Sequence, residues 1–170
     1  MAALAQPLEQ DAANGAETLQ QHLTFVVAGE VYAIPIAAVA EIIGLQKITS
    51  VPDPRPHVKG VINLRGTVIP VVDVRVRLAM DTVRLDERTC IVVVQLDDVL
   101  VGLLVDGIAD VIDVVAEEIE AAPRRRGELQ AEAMVTGFVQ KDGDVKIMID
   151  LGRLLELGDA RRDAPGDGLD

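Results

Sequence analysis

Cysteine and aromatic residues are scarce in this chain of 170 residues. Cys90 is the only cysteine, so no disulfide can form within the chain, as is typical of proteins in a reducing cytosol. Tryptophan is absent, and the rings of Phe25, Tyr32 and Phe138 are too few for the base-stacking platforms of single-strand nucleic-acid binders. These absences exclude a disulfide-stapled scaffold and disfavour binding to nucleic acid.

Basic residues and long apolar runs are also in short supply. The 28 acidic and 16 basic residues give a net charge of −12, which repels phosphate backbones and anionic lipid headgroups. No apolar stretch reaches the ~18 residues that a membrane span needs, and the first residues lack the basic start of a signal peptide. We therefore expect a cytoplasmic protein with no nucleic-acid partner and no direct membrane insertion.

Residues that could support catalysis do not form a recognisable set. His22 and His57 are the only histidines, and no cysteine and histidine cluster has zinc-site spacing. We interpret both histidines as solvated loop residues and Cys90 as a small buried apolar residue. No glycine-rich phosphate motif is present. The sequence therefore predicts no catalytic residues, no cofactor and no metal, and a protein that is not an enzyme.

Two polar segments flank an apolar middle. Residues 1–20, rich in Ala, Gln and Glu, and residues 158–170, rich in Gly and Asp, have the composition of flexible tails. Hydrophobic residues make up 49% of the chain, and most of them are Val, Ile, Leu and Ala within residues 21–157. Because branched side chains pack well on a pleated surface, this composition favours strands.

Short strand-like runs recur along the middle of the chain. Residues 22–35 predict a hairpin that turns near Gly29. Residues 36–43 predict a short helix, because their apolar side chains fall on one helical face. Residues 58–78 predict two strands joined by a turn at residues 64–66, where the sequence is Leu-Arg-Gly.

The second half of the chain repeats the order of the first. Residues 58–78 placed over 135–155, an offset of 77, give six identities in twenty-one positions, and several other positions keep apolar against apolar. Residues 34–43 placed over 103–112, an offset of 69, also match in apolar character. Two matches in the same order indicate a duplicated unit. We therefore predict that 58–78 and 135–155 follow the same strand–turn–strand path.

The duplication indicates how the chain folds. Each copy, including residues 34–78 and 103–155, has about five short strands and one helical turn, and is too small to bury much apolar surface alone. Packing two copies together lets them share a core, and closing each sheet hides strand edges that would otherwise aggregate. We predict a mainly β fold of two five-stranded β-barrel subdomains that share a hydrophobic core, with short helices.

Arg65 and the arginine run at residues 124–126 each have both a structural and a functional interpretation. Arg65 projects from the predicted turn, where it is either an ordinary exposed residue or a rigidly held fork for a partner's carboxylate. The chemistry of the residues favours neither interpretation over the other. The run at residues 124–126 is either a solvated loop that balances nearby glutamates or a contact with a partner.

Four segments carry a resemblance to a known family. They are VYAIPIAAVAEII, VKGVINLRGTVIPVVDVRVRL, VGLLVDGIADVI and VTGFVQKDGDVKIMIDLGRLL, and through them residues 22–157 resemble the CheW family. The pattern KGVxNLRGxxxPxxDxRxRL is the most specific of these likenesses. The resemblance implies SH3-like barrels around a shared core, no catalysis, and a cytoplasmic adapter recruited to membrane-associated chemoreceptor arrays.

The resemblance also implies two partners. The adapter would couple the cytoplasmic tip of methyl-accepting chemotaxis receptors to the regulatory domain of the histidine kinase CheA. A receptor helix would lie in a groove between the barrels, where valines meet its apolar stripe and charged residues fix its register. The expected receptor-binding residues are Val39, Glu41, Gly60, Arg65, Cys90, Gly102 and Val111. The expected kinase-binding residues are Ile36, Glu120 and Arg125.

The chain departs from the family pattern in one loop expected to contact the kinase. Arginines occupy residues 124–126, where relatives can carry an apolar residue, and Glu120 adds a charge. The contact would then be lost, or the partner would have an altered charge. Alternative interpretations are an adapter of another receptor-linked pathway such as pili-based motility, a small β-barrel enzyme and a self-assembling structural barrel. The length of the chain leads us to expect a stand-alone adapter.

Overall fold

The computed structural model describes residues 18–53, 55–80, 85–123 and 134–155, and its backbone is mainly β. The strands are β1 (Leu19–Val27), β2 (Glu30–Pro35), β3 (Val39–Gly44), β4 (Val58–Leu64), β5 (Thr67–Asp73), β6 (Cys90–Leu96), β7 (Val99–Val105), β8 (Gly107–Val115), β9 (Glu120–Ala121), β10 (Val135–Lys141) and β11 (Asp144–Ile149). Two short helices, α1 (Val74–Arg77) and α2 (Leu151–Leu155), follow β5 and β11. Strand β1 begins just inside the predicted N-terminal tail, and residues 1–17 and 158–170 of the two predicted tails lie outside the described residues.

The strands form two sheets, and each folds into a small barrel. The five-stranded barrel has the order β3-β6-β7-β5-β4, and the six-stranded barrel has the order β8-β1-β2-β11-β10-β9. In the five-stranded barrel the chain that leaves β3 pairs through Thr49 with Val61 of β4, which joins the two edges of the sheet. In the six-stranded barrel, β9 follows β8 in the chain and pairs with β10 in the same way.

Residues 58–77 and 135–155 each form two antiparallel strands followed by a short helix, and the structure explains the glycines and aspartates that the two segments share. A Cβ on Gly60 would lie 2.2 Å from the carbonyl oxygen of Thr49, and one on Gly137 would lie 2.7 Å from that of Glu120. We call the segments around Thr49 and Glu120 the closing segments of the two barrels. Only glycine lets a closing segment approach the neighbouring strand so closely. Asp73 accepts a hydrogen bond from the backbone N–H of Arg75 at the start of α1, and Asp150 similarly caps α2.

The hairpins turn where sequence reasoning placed them. Four described hairpins have two-residue loops, at residues 28–29, 65–66, 97–98 and 142–143, and both loop residues have positive φ in each of them. This geometry matches the right-handed twist of the flanking strands. The turn at Arg65 is further held by Asn63, whose side-chain oxygen accepts a hydrogen bond from the backbone N–H of Gly66 at 2.8 Å.

The helix predicted over residues 36–43 is wrong. Residues Ile36–Ala38 form a single 3-10 turn, and the chain then continues as strand β3, which pairs with β6. A bulge at Ala40 shifts the register of this pairing. The bulge interrupts the alternation of inward and outward side chains along β3, and this break produces the apolar spacing that suggested a helix. The branched side chains of the segment favour a strand.

The boundaries of the barrels differ from those of the repeat. Each repeat consists of a hairpin, a third strand, a second hairpin and a helix. The five-stranded barrel takes β3–β5 from the first copy and the hairpin β6–β7 from the second, while the hairpin β1–β2 joins β8–β11. The two copies therefore exchange their first hairpins, so neither barrel is built from one copy alone.

The core has three parts, one inside each barrel and one between them. Along β6, Val92 and Val94 face the core between the barrels, whereas Ile91 and Val93 face the interior of the five-stranded barrel. This double burial explains the continuous apolar run of that strand. The core between the barrels includes β1, β2, β6, β7 and both helices. The shared core predicted from the sequence is therefore present.

Candidate functional site

The structure brings together two of the residues expected to bind the receptor. Arg65, in the turn after β4, donates two hydrogen bonds to the carboxylate of Glu41 on β3, one of them at 3.2 Å. Strands β3 and β4 are the two edges of the five-stranded sheet, so this ion pair spans the seam of the barrel. Arg65 is 69% exposed and Glu41 is 32% exposed, so the pair is open to a partner.

Each member of the pair stabilises the charged form of the other. Hydrogen bonds from Arg65 lower the pKa of the Glu41 carboxyl, and those to Glu41 raise the pKa of the Arg65 guanidinium. The guanidinium has five N–H donors, of which Glu41 uses two. Arg65 can therefore donate to a partner's carboxylate without leaving Glu41.

Exposed apolar side chains lie on the edge strand of each barrel. Ile42, next to Glu41 on β3, is 44% exposed, and Val111 on β8 is 46% exposed. These two residues occupy equivalent positions in the repeat. Val39, also expected to bind the receptor, is half-buried at the start of β3 and packs against the core between the barrels.

Three of the expected receptor-binding residues lie inside the protein. Gly60 is buried under the closing segment of its barrel. Gly102 is buried on β7, where a Cβ would lie 2.8 Å from the Cγ2 atom of Ile91. Cys90 is buried at the start of β6, and burial raises the pKa of its thiol. All three therefore have packing roles, and we leave them out of the proposed contact surface.

The expected kinase-binding residues are scattered. Ile36 is half-buried and packs against the core between the barrels, whereas Glu120 is exposed on β9. Arg125 lies outside the described residues. Sequence reasoning did not identify the groove beside Glu120, ≈ 600 Å³ in volume, whose lining includes Glu117, Phe138 and Val145. Its acidity was visible in the sequence, but its shape depends on how β9 pairs with β10.

Sequence reasoning also missed a buried ionic network. Arg75 on α1 is 2% exposed and lies 3.5 Å from Asp73 and 3.4 Å from Asp106, which connects β7 to β8. Asp106 also accepts a hydrogen bond from the backbone N–H of Ala28 at 2.7 Å. The network thus links elements of both barrels, and a buried charge held in this way serves the structure.

Neither histidine matches its interpretation as a solvated loop residue. His22 is buried on β1, and His57 is half-buried. Burial lowers the pKa of both side chains. Within the described ranges, no three His, Cys, Asp or Glu side chains are grouped as metal ligands would be. No helix in those ranges is long and apolar enough to cross a membrane.

The fold defines a class of protein, that of paired SH3-like barrels. The chain is 29% identical to the scaffolding protein TtCheW from Thermoanaerobacter tengcongensis, whose crystal structure it matches with a TM-score of 0.74 over 82% of this chain and 94% of that chain. Residues 21–158 match the family profile of the CheW-like domain. The chain belongs to the CheW-like family.

Curated relatives agree with this assignment. The chain is 36% identical to the chemotaxis protein CheW of Klebsiella aerogenes, over 80% of this chain and 81% of the relative. It is 39% identical to the chemotaxis protein CheW of Bacillus subtilis, over 85% of this chain and 86% of the relative. The chain is thus a CheW-type chemotaxis scaffold, which is consistent with an adapter role.

Proposed function

We propose that this protein is a non-enzymatic adapter that couples methyl-accepting chemoreceptors to the histidine kinase CheA. It acts in the cytoplasm and is recruited to membrane-associated receptor arrays. The observation that carries the proposal is the exposed Glu41–Arg65 pair at the seam of the five-stranded barrel. An arginine that is held in place and has donors to spare suits a receptor helix that presents a carboxylate.

The receptor contact combines apolar burial with a fixed register. Ile42 and Val111, one on each barrel, bury the apolar stripe of the receptor helix. Val39 packs against the core between the barrels and so holds the start of β3 in place. The free donors of Arg65 bind a receptor carboxylate, while Glu41 holds the guanidinium in place. Held in this way, the planar fork loses little conformational freedom when the receptor binds.

The kinase contacts lie at the ends of the barrels. We keep Ile36 and Glu120 as contact residues, and Arg125 as a prediction for a part of the chain that the structure does not describe. Because Ile36 packs against the core between the barrels, an Ile36→Glu change would disturb the fold as well as a contact. Glu120 is exposed and is the better residue for a test.

Arg65 tests the receptor contact. Arg65→Ala is expected to weaken binding to a purified receptor signalling-tip fragment by about tenfold, the effect of one charge-assisted hydrogen bond. Arg65→Lys should restore only part of the affinity, because lysine lacks the planar fork. Calorimetric titration of the full chain measures both, and the loss should shrink as salt rises.

Two controls accompany this titration. The thermal midpoint of Arg65→Ala should equal that of the wild-type chain, because an exposed ion pair adds little to folding. Binding to the kinase regulatory domain should also be unchanged. Receptor binding at wild-type strength by Arg65→Ala would show that the ion pair is not part of the contact, and an unfolded variant would show that Arg65 is structural.

A further inference from the structure

The interior of the six-stranded barrel holds polar side chains beside its apolar cluster. His22 and Thr24 on β1 are 4% and 0% exposed. Leu23 between them faces the core between the barrels, so the alternation of a strand turns His22 and Thr24 into the barrel. Lys146 on β11 is 8% exposed and lies on the same face of its strand as Met148, which belongs to the interior cluster. A histidine, a threonine and a lysine therefore share this interior.

The repeat shows that the fold does not need these polar groups. His22 pairs with Ile112 on β8. In the five-stranded barrel Ile91 on β6 pairs with Ile43 on β3, and each of these two residues is 69 positions from its counterpart. The matching residues, with the six-stranded barrel first, are His22 and Ile91, Thr24 and Val93, and Lys146 and Ile69. All three positions are thus apolar in the five-stranded barrel, so the polar interior is a particular feature of the six-stranded one.

The seam between β1 and β8 is the place where this barrel can open. Strand β8 lies at one end of the six-stranded sheet, so β1 is the only described strand that it pairs with. A register shift after Thr24 interrupts the ladder, and the Thr24 hydroxyl donates a hydrogen bond to the carbonyl oxygen of Asp110 there at 2.9 Å. His22 lies behind this ladder, with its Nδ1 atom 3.3 Å from the carbonyl oxygen of Gln20. Separation of β8 from β1 gives the imidazole access to water.

The strands around His22 offer it no counter-charge. On β8, Asp110 and Asp113 are exposed to solvent, and on β2 Glu30 is exposed at the start of the strand. Lys146 adds a cation to the same interior and forms no ion pair in the part of the chain that the structure describes. A proton on His22 therefore creates a buried cation without a partner, which the closed barrel disfavours.

From this arrangement we propose that protonation of His22 opens the six-stranded barrel at the seam between β1 and β8 while the five-stranded barrel stays closed. Burial lowers the pKa of His22 in the closed barrel below the ordinary value of 6.5, against the opposing hydrogen bond to the carbonyl of Gln20. A histidine exposed by opening has the ordinary pKa, so below pH 6.5 the open form binds more protons than the closed form. The open population should then rise by up to about tenfold for each unit that the pH falls.

The strand that opens is the one that carries Val111. Separation of β8 removes Val111 from the proposed receptor contact, whereas Arg65 and Glu41 stay on the five-stranded barrel. This consequence rests on the proposed function. The opening itself does not, because it is measured on the chain alone.

Hydrogen exchange of the full chain, followed by mass spectrometry between about pH 7.5 and about pH 5, tests the opening. Protection, corrected for the intrinsic exchange rate at each pH, is compared between peptides from β8 and peptides from β3, which pairs with β6 as β8 pairs with β1. Protection of β8 should fall with pH while that of β3 holds. His22→Gln keeps a polar side chain that takes up no proton, and it should abolish the fall. The matched control His57→Gln should retain it, because His57 precedes β4 of the five-stranded barrel.

Two further measurements decide the question if His22→Gln folds poorly. The imidazole of His22, one of two in the chain, is titrated by nuclear magnetic resonance in the wild-type protein and should protonate below pH 6.5, over the range in which β8 loses protection. His22→Ile places the residue of the matching position in the barrel and should raise the protection of β8, most of all in acid. The inference is overturned if protection of β8 in the wild type does not change with pH, if it falls equally in His22→Gln, or if β3 loses protection together with β8.

Discussion

Replacing Gly102 by alanine distinguishes a packing role from a receptor contact. A Cβ at this position would lie 2.8 Å from Cγ2 of Ile91, whereas ordinary contacts lie at 3.4–4 Å. Ile91 is fully buried, and the close packing of protein interiors leaves such a side chain little room to move. Overpacking of this kind costs about 1–3 kcal/mol. For a domain of this size that corresponds to a fall of roughly 2–12 °C in the thermal midpoint.

The matched control is Gly44→Ala on β3. A Cβ there meets nothing within 4 Å, and Gly44 has no positive φ, so the midpoint should stay the same or rise slightly. Thermal unfolding followed by circular dichroism, with urea titration, measures both variants. Ile91→Ala removes the clashing Cγ2 atom, so the Gly102→Ala/Ile91→Ala protein should be more stable than the sum of the single changes predicts.

One result would refute this reasoning about Gly102. If Gly102→Ala unfolded at the wild-type temperature and yet lost receptor binding, the residue would have to touch the receptor, as the family resemblance implied. A variant that is destabilised but still binds the receptor at low temperature would support the packing role.

The remaining predictions concern the buried network and pH. Arg75→Met should destabilise the fold by about 3 kcal/mol in urea titration, because it leaves the buried carboxylate of Asp73 without its guanidinium; an unchanged midpoint would contradict this role. His22 and His57 have folded-state pKa values below the unfolded value of 6.5, so the unfolded chain binds more protons, and stability should fall as pH drops below about 6.5. The Arg55 guanidinium lowers the pKa of Asp53 to about 2, so its contribution should persist above about pH 4 and be lost between there and about pH 2. Stability curves that are flat from pH 7 to pH 5 would contradict the histidine prediction.

Elements that depend on local chemistry could be predicted from the sequence, and the candidate site only in part. The turns at Gly29 and Gly66 followed from their glycines, because positive φ is a property of the turn itself. The contact between Arg65 and Glu41 could not be derived in this way. The two residues are 24 positions apart, and they meet only because the barrel closes at that seam.

The sequence alone determined that the chain is mainly β, that it is duplicated, and that Gly60, Gly137 and the two capping aspartates occupy equivalent places. These features follow from side-chain shape and backbone freedom within each copy. The tertiary structure decided which hairpin completes which barrel, because this depends on strand pairing between distant parts of the chain and on the packing of both faces of β6 and β7. It also decided that Gly102 and Cys90 lie inside the protein while Ile42 and Val145 lie outside, since burial depends on what packs above a residue and not on the residue alone.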